Sequence, residues 1–453
     1  MSAVPKPLQP WKARAFAGSA AFWFPGLLCL WGFPPAARGD DWPQFRGPRR
    51  DGAWAETGVL DSFPTGGPPA RWRQEVGPGW ASPVVSDGRV FVADAKLEKP
   101  RSSEQLRAFD EATGKPLWTY AYEAPYPDWA LVPGQGGGPS ATPIAEENRV
   151  TMLGANGEVH CLDTATGRLI WERNLGKEFE VWAMGCRASP LIDGDRLVLF
   201  VGAKPGACVM ALDKRTGADV WRALDEKILN SSPVVVEAGG RRQLIVWTAE
   251  SVTALDPGTG AVLWRMPMTT SNNDGVSTPV MAENRLLIAG LMLEFRGGAT
   301  IPEVLWPGAD VAAPKRILSH TSTALFRGDH VYSARMRGEL ACLDAATGRE
   351  IWSTDRVTGL KTGASLHLTP AGDGVFLFTD EGNLIRARLT PDGYEERGRH
   401  RVLEPTSPFG GTAMAWTPPA YANGHGFFRS DAEIVRVRLS HPTGSGPRPN
   451  PVE

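Results

Sequence analysis

The sequence is short of the groups that usually announce chemistry. Its 453 residues include seven histidines and five cysteines. No two cysteines are adjacent, no Cys-x-x-Cys-His offers a haem attachment, and no Gly-x-Ser-x-Gly marks an activated serine. The histidines (His160, His320, His330, His367, His400, His425 and His441) show no pair at metal-ligand spacing. Hydrolytic or metal-dependent catalysis therefore has no legible residues here, and no catalytic residue can be named. Charge is equally uninformative: 48 Lys and Arg stand against 50 Asp and Glu, a formal net charge of −2, with no long run of one sign. A nucleic-acid partner, which needs a basic stripe, is excluded on that ground.

What is present is repetition. The phrase Ala108-Phe109-Asp110-Glu111-Ala112-Thr113-Gly114-Lys115-Pro116-Leu117-Trp118 returns at 161–171, 211–221, 254–264 and 342–352. Ala or Cys, Asp, Thr-Gly and Trp keep their offsets every time. The Asp side chain can accept from nearby backbone N–H groups and close a turn, and the Gly supplies the positive φ that reverses the chain. Each phrase reads as a β-hairpin whose outgoing strand ends on Trp. A hairpin with one heavily apolar face needs a neighbour to stack on.

A second signal precedes each phrase: a small residue, Ser or Thr, Pro, then apolar residues. It occurs at Ala81-Ser82-Pro83, Ala141-Thr142-Pro143, Ala188-Ser189-Pro190, Ser231-Ser232-Pro233 and Ser277-Thr278-Pro279. A strand following a turn lies between the two signals. Each repeat is thus four strands in about 42 to 60 residues, the length of one propeller blade.

Blades one to six end at Trp118, Trp171, Trp221, Trp264, Trp306 and Trp352, the fifth having lost the Asp/Thr-Gly phrase. Two decayed repeats follow, and the segment Ala70-Arg71-Trp72-Arg73-Gln74-Glu75-Val76 reads as a lone outer strand that completes the last blade. The expectation is an all-β protein, an eight-bladed β-propeller closed by its N-terminal strand, with seven blades as the alternative. Residues 1–39 read as a signal peptide, with Lys6, Lys12 and Arg14 before an apolar stretch at 15–33 and Ala37-Arg38-Gly39 as a cleavage site. A retained membrane anchor is the competing reading. Residues 40–69 read as an extended N-terminal arm, 70–440 as the propeller and 441–453 as a disordered tail. Cys161, Cys186, Cys208 and Cys342 are expected to be buried free thiols, since their positions on the strands exceed disulfide reach. His160, one residue before Cys161 on a strand, reads as a surface or packed histidine.

The repeat resembles that of the pyrroloquinoline-quinone (PQQ) type propellers, whose tryptophan-docking motif the phrase matches at five sites. The opening Trp42-Pro43-Gln44-Phe45-Arg46-Gly47 resembles the start of a group of exported PQQ-like repeat proteins. The family includes quinoprotein alcohol dehydrogenases and the non-enzymatic BamB-like lipoprotein of the outer-membrane barrel assembly machine. The resemblance implies that Trp118, Trp171, Trp221, Trp264, Trp306 and Trp352 dock between blades. It also implies, for dehydrogenase members, a vicinal disulfide against the quinone and a calcium held by carboxylate and amide oxygens. Here Asn272-Asn273-Asp274-Gly275 could supply oxygens, though a polar turn explains them as well.

Two functions follow. The first is an exported, non-enzymatic binding or scaffold propeller, monomeric and cofactor-free, periplasmic or extracellular, and membrane-associated if its first segment is retained. It would take a protein, small-molecule or glycan ligand through the loop face and axial funnel. The candidate axial residues are Trp80, Trp182, Arg187, Asn230, Asn273, Asp274 and His320, because each sits just before or within a strand-opening signal. The alternative is a dehydrogenase oxidising alcohols or sugars with PQQ and calcium.

Overall fold

A computed structural model describes residues 40–132, 135–268, 275–307, 318–319, 321–359, 365–409 and 412–441. Residues 1–39 and 442–453 lie outside this set, as do Asn272, Asn273, Asp274 and His320. Eight four-stranded antiparallel sheets make up an eight-bladed propeller. In blade one the strands are Val84–Ser86, Arg89–Lys96, Ser103–Asp110 and Pro116–Glu123, from axis to rim. Blades two to seven follow over residues 144–174, 191–223, 234–267, 280–306, 325–354 and 366–401. The eighth takes three strands from residues 420–438 and its outer strand from Ala70–Glu75. That strand pairs with Glu433–Arg438, Arg73 opposite Val435, so the first and last strands share one sheet.

The repeated phrase is explained atom by atom. Asp163 Oδ1 accepts from the Thr166 N–H at 2.8 Å and the Thr166 hydroxyl at 2.7 Å. Trp171 pairs directly opposite Cys161, and a bulge follows at once between Cys161 and Leu162. The other copies set Ala108, Ala211, Ala254 and Cys342 opposite their tryptophans. A small residue is required there because the indole lies over it. The Gly does double duty. Gly167 has φ +69°, and a Cβ on it would meet the Trp118 ring of the preceding blade at 2.6 Å. Positive φ and close approach both exclude a side chain.

The Ser/Thr-Pro signal forms a second set of ties, close to the axis. The Ser82 N–H donates to Thr142 Oγ1 at 3.0 Å, Thr142 N–H to Ser189 Oγ at 3.0 Å, and Ser189 N–H to Ser232 Oγ at 2.9 Å. Thr278 N–H likewise reaches Thr323 Oγ1. These N–H groups lie two residues ahead of the inner strands of blades one, two, three and five, and a hydroxyl of the next blade satisfies each. Apolar side chains fill the spaces between blades, and Cys161, Cys186, Cys208 and Cys342 are buried free thiols among them.

Residues 42–54 cross the axis. Trp42 bridges Val85 of blade one, Ala145 N–H of blade two donates to Pro43 O, and Trp54 bridges Ala371 of blade seven. Arg50 donates to the Pro190 and Pro233 carbonyls at the starts of blades three and four. Trp42 and Trp54 also pack on Tyr421 of blade eight, so one short stretch contacts six blades. Among the described residues no helix is long and apolar enough to cross a membrane.

Candidate functional site: an axial cup

The crossing segment turns the central channel into a cup. A cavity of about 550 Å³ lies on the axis, with Trp42, Phe45, Arg46 and Gly52 among its lining. These four belong to the segment that pairs with the far ends of the inner strands, so they form a floor. The walls carry hydroxyls from the strand-opening signals, including Thr142, Ser189, Ser232 and Thr323. Trp80, Arg187, Asn230, Met336 and Trp416 also line the cavity.

Three of the candidate axial residues, Trp80, Arg187 and Asn230, are thus brought to one cavity. The Arg187 guanidinium stacks 5.4 Å from the Trp80 ring centroid and donates through Nε to Met184 O. The Trp80 ring in turn lies 6.2 Å from Trp416. Trp182 does not line the cup. The Gly185 N–H donates to Trp182 O and Met184 adopts φ +57°, a turn that throws the indole outward to 53% exposure. There the Lys227 ammonium sits 4.9 Å over its ring. Asn273, Asp274 and His320 lie outside the described residues.

Electrostatics at the cup is one-sided. No Asp or Glu is among its described lining residues, while Arg46 and Arg187 are. Burial pulls Arg46 down to about 10 and also lowers Arg187, both remaining cationic at neutral pH. Arg46 is held by the Arg50 and Asp51 carbonyls at 3.2 and 2.7 Å. His367 in the wall is pushed down to about 4 by burial and is therefore neutral. These residues do not fit a calcium-bound quinone: the described lining offers no carboxylate to a hard cation, and the sequence has no adjacent cysteines.

The docking tryptophans lie elsewhere, between blades. Trp118, Trp171, Trp221, Trp306 and Trp352 each donate Nε1–H to a backbone carbonyl of the following blade, at Thr164, Lys214, Pro257, Ala345 and Thr390. Trp72 donates to Glu111 O at the seam. Trp264 differs. Its Nε1 donates to Gln243 Oε1 at 2.6 Å, and Gln243 Nε2 reaches Thr300 O at 2.9 Å. Blade five has no Asp/Thr-Gly turn to present a carbonyl, so a glutamine side chain carries the link.

Sequence reasoning missed Trp42, Phe45, Arg46 and Trp416 as axial residues; the opening Trp-Pro-Gln-Phe-Arg-Gly phrase was the available signal for the first three, and the Thr417-Pro418 pair that follows Trp416 for the fourth. It also missed a buried acid cluster between blades one and two. The fully buried Glu104 accepts from the Tyr122 and Tyr126 hydroxyls and from Ala155 N–H. His160 is packed against this group, its ring 4.2 Å from that of Tyr122.

Burial pushes the Glu104 carboxyl up to about 7, so the folded state holds its proton more tightly than the unfolded chain. Stability from this group is greatest in acid and falls as pH rises from about 4.5 to 7, by up to about 3 kcal/mol. His160, His367 and His425, lowered to about 4 by burial, act in the opposite sense between pH 4 and 6.5. Glu104→Gln removes only the first contribution. In urea unfolding, the variant is expected to gain roughly 2–3 kcal/mol on the native protein between pH 5 and pH 8. An unchanged difference would mean that Glu104 titrates normally.

A family model described as outer membrane protein assembly factor BamB matches residues 69–128, 102–294 and 293–393. The chain belongs to this family. BamB of Burkholderia pseudomallei is 28% identical over 240 residues, covering 49% of this chain and 58% of that protein. BamB of Shewanella oneidensis is 25% identical over 329 residues, 70% of this chain and 67% of the relative. The match to the Burkholderia BamB thus spans less than two thirds of that protein. Among solved structures, BamB from Moraxella catarrhalis superposes with a TM-score of 0.56 at 15% identity, covering 82% of this chain and 99% of that one. Quinohemoprotein alcohol dehydrogenase from Comamonas testosteroni gives 0.63 at 16%, covering 91% and 82%. At such identities both likenesses concern the fold, which BamB shares with that dehydrogenase.

Proposed function

We propose that this BamB-family chain is an exported, non-enzymatic scaffold that holds a protein partner of the cell envelope against its loop face and axial cup. The observation that carries the reading is a set of exposed apolar side chains in the connections at one end of the propeller, five of the twelve large apolar residues exposed among the described residues. Trp129, Val132, Trp182 and Val276 stand in connections from an outer strand to the next blade's inner strand, and Met336 in a turn between second and third strands. Strand alternation places both kinds of connection at the same end, around the mouth of the cup. Exposed aromatic anchors beside a concave site suit protein capture. The family's description as an outer membrane protein assembly factor supports a partner of that compartment. The described residues of the cup offer no carboxylate to a calcium-bound quinone.

Photo-crosslinking residues placed at Trp129 and Trp182 test this, with Val220 on an outer strand as control. Discrete envelope-protein adducts are expected from the first two positions alone. Adducts from none, or from all three alike, would remove the loop face as the docking surface. Saturable binding of PQQ with calcium, accompanied by dye-linked oxidation of an alcohol or sugar, would replace the scaffold with a dehydrogenase.

A further inference from the structure

The cup has a property that a through-channel lacks: it admits an end and not a middle. Residues 42–54 pair with blades one, two and seven across the floor, so a chain entering at the loop face cannot leave on the other side. A volume of about 550 Å³ holds a chain end and excludes a folded element. Two arginines and no described carboxylate set the sign of what the cup favours. Neither Arg46 nor Arg187 pairs with a carboxylate among the described residues, since Arg46 donates to carbonyls and Arg187 to the Met184 and Gly136 carbonyls. Trp42, Phe45, Trp80 and Trp416 supply flat apolar walls, with hydroxyls between them.

Resting on the scaffold reading above, we infer that the cup captures the free C-terminus of the partner chain, with its terminal carboxylate at Arg46 and an aromatic last side chain between the tryptophans. The guanidinium fork matches a carboxylate, and low-dielectric surroundings strengthen the pair. Arg187, stacked on Trp80, adds positive field at the cavity wall. Exposed Trp129 and Trp182 around the mouth would hold the residues that precede the captured end. That arrangement favours a chain end over a free small acid of the same chemistry.

The test is calorimetric titration of the full chain with an acetylated hexapeptide of glycine and serine ending in phenylalanine. Three probes are compared: the free acid, its C-terminal amide, and indole-3-acetate. The free acid is expected to bind saturably and the amide about tenfold more weakly. Arg187→Gln is expected to weaken the acid several-fold more than the amide, and added salt to weaken the acid alone. Arg46→Gln serves as a second variant, with circular dichroism to confirm that the floor segment still folds. Equal binding of acid and amide overturns the inference, as does indole-3-acetate binding as tightly as the peptide. If the peptide fails to bind while crosslinks at Trp129 and Trp182 persist, the cup is dismissed and the scaffold stands. If crosslinks fail too, the underlying reading goes with it.

Discussion

Trp221→Ala is expected to lower the unfolding free energy by about 3–5 kcal/mol, the range for a large core truncation. The indole is 8% exposed and lies opposite Ala211 in its own blade. Its far edge packs on the next blade, where a Cβ on Gly260 would come 2.6 Å from the ring. Nε1 donates to Pro257 O at 3.1 Å, so the truncation opens a cavity and orphans a buried carbonyl together. Surrounding side chains such as Val246, Leu244 and Phe200 are fixed in strands and cannot collapse into the gap. Equilibrium urea denaturation reads the loss directly. A cost below about one kcal/mol would mean that the indole contributes nothing between the blades.

Arg429→Met is expected to cost a similar amount, about 3–5 kcal/mol, for a different reason. Arg429 is fully buried in blade eight and reaches into blade one, donating to Ala93 O at 2.6 Å and Gly77 O at 2.7 Å. Burial lowers its pKa, and the nearby Asp94 and Asp431 charges oppose that shift. Methionine fills most of the volume and leaves those carbonyls unsatisfied. Asp94, itself fully buried, then keeps only Arg107 at 3.4 Å as a counter-ion. Arg429→Lys recovers little, because one ammonium cannot serve carbonyls spread across a planar fork. Hydrogen exchange localises the effect: protection is expected to fall first in residues 70–75 and 433–438. Uniform loss around the ring would show that Arg429 does not act at this junction.

Much of the fold was legible because the repeat encodes pair contacts between blades. Asp, Thr-Gly and Trp recur at fixed spacing since each phrase has to present the same glycine and carbonyl to the preceding indole. The lone Trp72 strand was readable as the missing outer strand by the same logic, and the decayed seventh and eighth repeats still counted. The site was less legible. Position before a Ser/Thr-Pro signal located Trp80, Arg187 and Asn230 at the axis, but the same rule failed for Trp182. A local turn at Met184, whose positive φ no sequence pattern marks, sent that indole outward. The floor was unreadable because residues 42–54 carry no strand periodicity. Their place is fixed by backbone pairing with blades far away in sequence. Glu104 could not be foreseen as buried either, since its tyrosine partners come from another strand and a loop.

The pairing of Ala70–Glu75 with Glu433–Arg438 also constrains how the protein is made. As the chain grows, the first strand of the propeller has no partner until residues 433–438 have been synthesised. Every earlier blade can stack on its predecessor, yet the ring stays open and presents an unpaired strand edge. The slowest, most sequence-distant contact is therefore also the final one. A chain truncated anywhere before residue 433 is left as an open spiral, and only one that extends through residue 438 can lock.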